Sequence, residues 1–319
     1  MNSGVMGSVA VIGAGAWGTA LALQAHRAGA EVTLWSRSPL PGRVSPHLPG
    51  HVIPDGIRLT TALPRVVQAL VLVVPVQHMR GVVARLPGGV PMLSCAKGLE
   101  AATGLLPLEV LEALHPGTPA AVLSGPTFAH EVAEGRPAAA TLAASDPNLR
   151  ALFASLLHGP SFRLYGNDDP VGAQLGGAAK NVFAIAAGAV IGAGLGENAR
   201  AALITRGLAE LARLVVALGG QADTVSGLSG LGDLLLTCTG ASSRNFRCGL
   251  ALGRGERLAD ILAASPGVIE GVPTAPALAA RARDRVELPV CTAVAALLEG
   301  RTTLDAAIAA LLARPARDE

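Results

Sequence analysis

The chain predicts an α/β domain with a doubly wound, mostly parallel sheet, followed by an all-α domain. Three observations predict it. In the first half, short apolar runs alternate with stretches of helical spacing, and strands apolar on both faces belong in a parallel sheet covered by helices. A glycine-rich turn separates the first strand from the first helix. From Val171 onward only helical patterns remain.

Element by element, Ser8–Ile12 is an apolar run ending at glycine, residues 19–28 have helical spacing, and Glu31–Trp35 is strand-like again. Residues 69–74 form a continuous apolar, valine-bearing run. Strand candidates follow at 91–94, 120–124 and 138–143, separated by helical stretches such as 105–114. Gly166-Asn167-Asp168-Asp169-Pro170 reads as a turn cluster suited to a helix start. Helices are expected over 174–194, 199–218, 230–237, 245–253, 274–285 and 293–312. The sheet domain is therefore placed at residues 1–168 and the helical domain at 169–319.

Composition narrows the function. Half of the 319 residues are hydrophobic and only 3% aromatic, so the cores are built from Ala, Val, Leu and Ile. Abundant alanine, with 39 glycines, favours closely approaching helices. A net charge of +2 with no basic block gives no electrostatic footprint for nucleic acid. Cys95, Cys238, Cys248 and Cys291 have no CxxC spacing and no histidine cluster beside them. They read as buried thiols of a cytoplasmic protein, neither a disulfide frame nor a metal site. The apolar run from Val9 has no basic flank and turns into glycines, unlike a leader peptide. The apolar stretch 183–196 is too short for a membrane span and follows Lys180, which suits a buried helix.

The glycine turn is Gly13-Ala14-Gly15-Ala16-Trp17-Gly18. After a strand and before a helix, such a turn cradles a dinucleotide pyrophosphate. Gly13 permits the tight turn, Gly15 lets backbone N–H groups approach the phosphates, and Gly18 lets the helix pack on the strand. The helix N-terminus adds partial positive charge. The sheet domain is thus Rossmann-type. At the end of the second strand, where an NAD-selective site carries Asp or Glu, the chain has Ser36 and Arg37. An arginine there suits a 2′-phosphate, so NADP(H) is favoured over NAD(H).

Only two of the 25 basic residues, Lys97 and Lys180, are lysines. A guanidinium stays protonated, whereas an ammonium can give up and regain a proton. Lys97 follows a strand whose carboxyl end belongs to the ligand crevice, as does the turn Ser124-Gly125-Pro126-Thr127-Phe128-Ala129. Lys180 lies in the first long helix of the second half, one turn after Gly176 and Gly177. Asp233, among leucines and one helical turn from Thr237, needs a partner, and Lys180 is the obvious one. As a helix N-cap it would serve equally. Ser242-Ser243-Arg244-Asn245 at a helix start forms an anion site or a simple cap. Glu270, in a turn before another helix, suits a cap or a cofactor contact.

Taken in order, GAGAWG, SCAKG, SGPTFA, GGAAKN, SGLGDLLLTC, SSRN and IEGV resemble the bacterial-type NAD(P)-dependent glycerol-3-phosphate dehydrogenase family, over nearly the whole chain. The resemblance implies interconversion of dihydroxyacetone phosphate and sn-glycerol 3-phosphate, in support of phospholipid synthesis. It implies that Lys180 is the proton donor and acceptor, and that Lys97 contacts both substrate and cofactor. Gly125, Thr127, Asp233, Ser243, Arg244 and Asn245 correspond to substrate contacts. Ala16, Trp17, Arg37, Ala129, Arg244, Val268 and Glu270 correspond to cofactor contacts. Many relatives carry serine where this chain has Ala16, a change that a backbone contact tolerates. No membrane span or nucleic acid is implied, and a homodimer is compatible with the resemblance. The rival reading is a related dehydrogenase of a hydroxy acid or ketopantoate-like substrate. The SSRN anion site favours a phosphorylated one.

Overall fold

The computed structural model describes residues 7–265 and 267–314. It separates into two compact units, one of residues 1–97 and 106–174, the other of 98–105 and 175–319.

The first unit is an eight-stranded sheet with helices on it. Its elements are β1 (Ser8–Ile12), α1 (Ala16–Arg27), β2 (Glu31–Trp35), β3 (Ile57–Thr60), β4 (Ala69–Leu72), α2 (Val76–Val83), β5 (Met92–Ser94), α3 (Pro107–Leu114), β6 (Ala120–Ser124), α4 (Ala129–Ala133), β7 (Ala138–Ala143), α5 (Pro147–Leu157) and β8 (Phe162–Asn167). The strand order is β3-β2-β1-β4-β5-β6-β7-β8. All pairs are parallel except β6 with β7, which is antiparallel. Strand order reverses between β1 and β4, the switch point where ligands of such sheets bind. Val9, Ala10, Val11 and Ile12 are buried on both faces, as the unbroken apolar run requires.

Two strands escape the sequence pattern. β3 (IRLT) carries an arginine and a threonine, and β8 is an edge strand with exposed Arg163, Tyr165 and Gly166. Gly166 and Asn167 are therefore strand and not turn. The helix start after them is as expected, because Asp169 caps the next helix by accepting from the Gly172 amide at 2.8 Å.

That helix, α6 (Pro170–Gly192), leads into the second unit. The others are α7 (Gly196–Ala217), α8 (Ala222–Val225), α9 (Asp233–Thr239), α10 (Arg244–Gly253), α11 (Leu258–Ala264), α12 (Gly271–Ala282), α13 (Pro289–Leu298) and α14 (Leu304–Leu312). The single helix expected over 293–312 is two, broken at Gly300 (φ +68°) and restarted by Thr303, whose hydroxyl caps Ala306. The helix expected over 230–237 starts as a π-helical turn, Leu228–Gly232, before α9. At 23 residues α6 is long and apolar enough to cross a membrane, contrary to the length expected from 183–196, but 89% of its apolar window is buried inside the fold.

The abundant small residues act where α6 meets α10. A Cβ on Gly188 would lie 2.1 Å from the Phe246 carbonyl, and one on Gly249 would lie 1.9 Å from the Ile185 carbonyl. Gly192 and Gly253 repeat this one turn on. The two helices touch backbone to backbone, with no layer of side chains between them.

Farther off, Glu210 of α7 is 2% exposed, and its carboxylate accepts from the amides of Val290 (2.7 Å) and Cys291 (3.3 Å) at the start of α13. Burial raises its pKa to about 7 from 4.5. The folded state thus keeps a proton that the unfolded chain releases earlier, so this group's contribution to stability falls as pH rises from about 4.5 through 7. Glu210→Gln keeps the shape and removes the titration. Thermal denaturation at about pH 6 and pH 8 should show a smaller drop for the variant than for wild type, and equal drops would remove Glu210 from the pH dependence.

Candidate active site

The candidate residues form one group in each unit. In the first, the glycine loop closes β1 onto α1. Gly13 has φ +117°, and a Cβ there would lie 2.8 Å from the Val73 carbonyl. A Cβ on Gly18 would lie 1.7 Å from the Gly13 carbonyl, so α1 rests directly on the turn. Gly15 behaves differently: a Cβ there meets nothing within 4 Å. Gly15 is also the N-cap of α1, with no side chain capping the helix. This open, donor-rich helix end at the switch point fits the pyrophosphate of a dinucleotide. Trp17 packs edge-on against Phe162, with centroids 6.4 Å apart. What Trp17 and Ala16 offer a ligand is therefore first-turn backbone. Arg37 is exposed just after β2, and the Ser36 hydroxyl is held within its own turn by donating to Ser38 O at 2.7 Å.

At the carboxyl ends of β5 and β6, the Lys97 ammonium donates to the Gly125 carbonyl at 3.0 Å, and the Thr127 hydroxyl donates to the same oxygen at 3.2 Å. Gly125 has φ +145° and would place a Cβ 3.0 Å from Ala140 Cα, so only glycine suits the turn. Ala129 is the first residue of α4.

In the second unit, Lys180 projects from α6 to Asp233, with Nζ 2.7 Å from Oδ1, and donates to the Thr237 hydroxyl at 3.0 Å. The Thr237 hydroxyl in turn donates to the Asp233 carbonyl at 2.6 Å. The side chains of Lys180 and Asp233 are 11% and 1% exposed, so this ion pair is almost dry. Glycines set its geometry. A Cβ on Gly176, one turn before Lys180, would lie 2.3 Å from the Ser229 carbonyl in the π-helical turn. That turn packs against α6 and delivers Asp233 at the start of α9. π-helical turns recur at functional sites because they re-aim the residue that follows.

The SSRN segment divides its labour. Ser243 is the N-cap of α10, and its hydroxyl accepts from the Phe246 amide at 3.1 Å. Asn245 is buried: its amide donates to Asn181 Oδ1 at 2.8 Å, and its oxygen accepts from the Gly271 amide at 2.9 Å. Both side chains thus serve the protein's own framework, while Arg244 is exposed at the helix start. Glu270 is the N-cap residue of α12, and Val268 is 39% exposed. Asn181 and Thr237 were not singled out as site residues in the sequence. Their signals were adjacency to Lys180 and the four-residue spacing from Asp233.

All four cysteines are free and buried, and burial pushes Cys238, next to Thr237 in sequence, up to about 12.

The family model described as the NAD-dependent glycerol-3-phosphate dehydrogenase N-terminus matches residues 8–150, and the C-terminus model of the same family matches 169–309. The chain is 54% identical over 314 residues to glycerol-3-phosphate dehydrogenase [NAD(P)+] of Gluconobacter oxydans, covering 96% of this chain and 97% of that one. It is 55% identical over 318 residues to the Acidiphilium cryptum enzyme of the same name, covering 97% and 98%. Among solved structures, the glycerol-3-phosphate dehydrogenase of Coxiella burnetii superposes with a TM-score of 0.92 at 38% identity, covering 97% of this chain and 99% of that one. Matched by both halves of one family and about half identical to its members over almost its entire length, the chain belongs to the NAD-dependent glycerol-3-phosphate dehydrogenases.

Proposed function

We propose that this NAD(P)-dependent dehydrogenase interconverts dihydroxyacetone phosphate and sn-glycerol 3-phosphate, with Lys180 moving the proton. The buried contact of Lys180 with Asp233 and Thr237 carries the reading. A dry ammonium held at two points is a group built to exchange a proton at a fixed place. The nicotinamide, when bound, supplies or accepts the hydride. In reduction Lys180 protonates the substrate's carbonyl oxygen as negative charge gathers on it, and in oxidation the neutral amine takes the hydroxyl proton. Asp233 and Thr237 hold the side chain in the reactive rotamer. Lys97, fixed on the Gly125 carbonyl, adds a second positive charge for the substrate. Arg244 and the first-turn amides of α10 bind the phosphate, with Ser243 and Asn245 shaping that helix end. Gly13, Gly15, Ala16, Trp17 and Gly18 hold the pyrophosphate, Arg37 the 2′-phosphate, and Ala129, Val268 and Glu270 the rest of the cofactor. A reducing cytoplasm, and supply of glycerol phosphate to phospholipid synthesis, belong to the same reading.

The direct test is oxidation of NADPH, and separately of NADH, by dihydroxyacetone phosphate; no turnover with either sinks the proposal. Arg244→Ala should raise the KM for dihydroxyacetone phosphate about 10²-fold with a smaller change in kcat, because a charge-assisted contact to phosphate is lost. An unchanged KM would remove Arg244 from the phosphate site. For Arg37→Ala, the ratio of kcat/KM with NADPH to that with NADH should fall about tenfold, and a ratio that stays put means the 2′-phosphate lies elsewhere.

A further inference from the structure

Between β2 and β3 the chain makes a strap whose contacts reach back to the glycine loop. Its base is fastened by Arg43, a non-glycine residue at φ +57°. The Arg43 guanidinium donates to the carbonyls of Ile53 (2.8 Å), Ile57 (2.6 Å) and Pro54. Inside the strap, Ser45 is fully buried. Its hydroxyl donates to the carbonyl of Ala14 at 2.7 Å, across 31 residues of sequence, and accepts from the His47 amide at 3.3 Å. The same carbonyl receives a longer bond, 3.4 Å, from the Thr19 hydroxyl of α1.

The Ala14 carbonyl and the Gly15 N–H belong to one peptide unit. In a trans peptide these groups point in opposite directions. Two hydroxyls on the buried side therefore fix the carbonyl inward and turn the Gly15 N–H the opposite way, in a loop where a Cβ added to Gly15 would meet nothing within 4 Å. We propose that Ser45, assisted by Thr19, is a positioning residue that locks the Ala14–Gly15 peptide with its donor facing the cofactor pyrophosphate. This rests on the glycine loop holding the dinucleotide. Ser45 thereby ties the strap following the 2′-phosphate-reading turn to the phosphate-binding peptide. Without the lock, the peptide must be ordered at the moment of binding, which weakens affinity for any ligand that uses it.

The test is equilibrium binding by calorimetry to the full chain, with two ligands. NADPH carries the pyrophosphate bridge, whereas adenosine 2′-monophosphate has no phosphate at its 5′ end. Ser45→Ala should raise the Kd of NADPH about tenfold, and leave that of the monophosphate within about twofold. Thr19→Val should act in the same direction but more weakly, and supplies the measurement if Ser45→Ala does not fold. At saturating NADPH the KM for dihydroxyacetone phosphate should match wild type. A merely structural role would lower the melting temperature and weaken both ligands alike, or neither, and either result overturns the proposal. Gly15→Val separates the two levels of inference. It fills the open side of the loop and should abolish NADPH binding. If it does so while the hydroxyl variants bind NADPH normally, only the lock is wrong. If it binds NADPH normally, the loop assignment itself fails.

Discussion

Lys180→Ala lowers kcat by at least about 10³-fold while the Kd for NADPH stays within about twofold of wild type. The first half of that expectation follows from what is removed. General acid–base groups contribute about 10²–10⁴-fold, and a fixed charge beside a developing oxyanion adds a further electrostatic share. Arg244, Arg37 and Lys97 remain, yet neither arginine can surrender a proton, and Lys97 is fastened to the Gly125 carbonyl in the other unit. The second half follows from where the glycine loop sits. It is made by β1, α1 and the strap, all within residues 7–57, whereas Lys180 belongs to α6. Single-turnover kinetics with prebound NADPH should therefore show slow chemistry and normal occupancy. Near-normal turnover would remove Lys180 from the chemistry.

Asp233→Ala costs about 3–5 kcal/mol of stability, the penalty of stranding one charge of a buried pair. The loss arises because Lys180 is 11% exposed and Asp233 1%, leaving neither group water to fall back on. The Thr237 hydroxyl is neutral and does not supply the missing negative charge. Replacing both members, as in Lys180→Met with Asp233→Leu, should recover most of the loss, because no charge is then left buried. Denaturant titration of Lys180→Met, Asp233→Leu and the double closes the cycle. The double variant should be stable and inactive. If it were as unstable as the aspartate single, the pair would not be the source of the cost. A stable, inactive double would mark the pair as one kept for the proposed proton transfer and not for stability.

Much of this was legible in the sequence, for identifiable reasons. The strands of the sheet centre could be read because burial on both faces leaves an unbroken apolar run, as in Ser8–Ile12. Edge strands carry no such signal: in β8 only Phe162 is buried, Arg163, Tyr165 and Gly166 are exposed, and the strand ends on residues that favour turns. The break between α13 and α14 was hidden because Gly300 is one glycine among 39 in an alanine-rich stretch. At the site, Asp233 needed a counter-charge and Lys180 was the ammonium in a fitting context, so the pair could be matched without coordinates. The use of Asn245 could not. An amide at a helix start reads equally as a ligand donor or an internal strut, and only its contacts with Asn181 and Gly271 decide. Ser45 was invisible for a similar reason, since a serine in a loop declares nothing about a carbonyl 31 residues away.

The crossing of α6 and α10 has a consequence for how this enzyme can change over time. One helix bears the lysine, and the other begins at the arginine proposed to grip the phosphate. Wherever leucines or valines separate two helices, lineages can trade one side chain for another and shift the spacing by fractions of an ångström. At Gly188, Gly192, Gly249 and Gly253 there is nothing to trade, because one carbon atom would collide with a carbonyl. On the proposed roles of Lys180 and Arg244, the span from proton to phosphate is set by this crossing, and descendants that change it would have to break the crossing and build another.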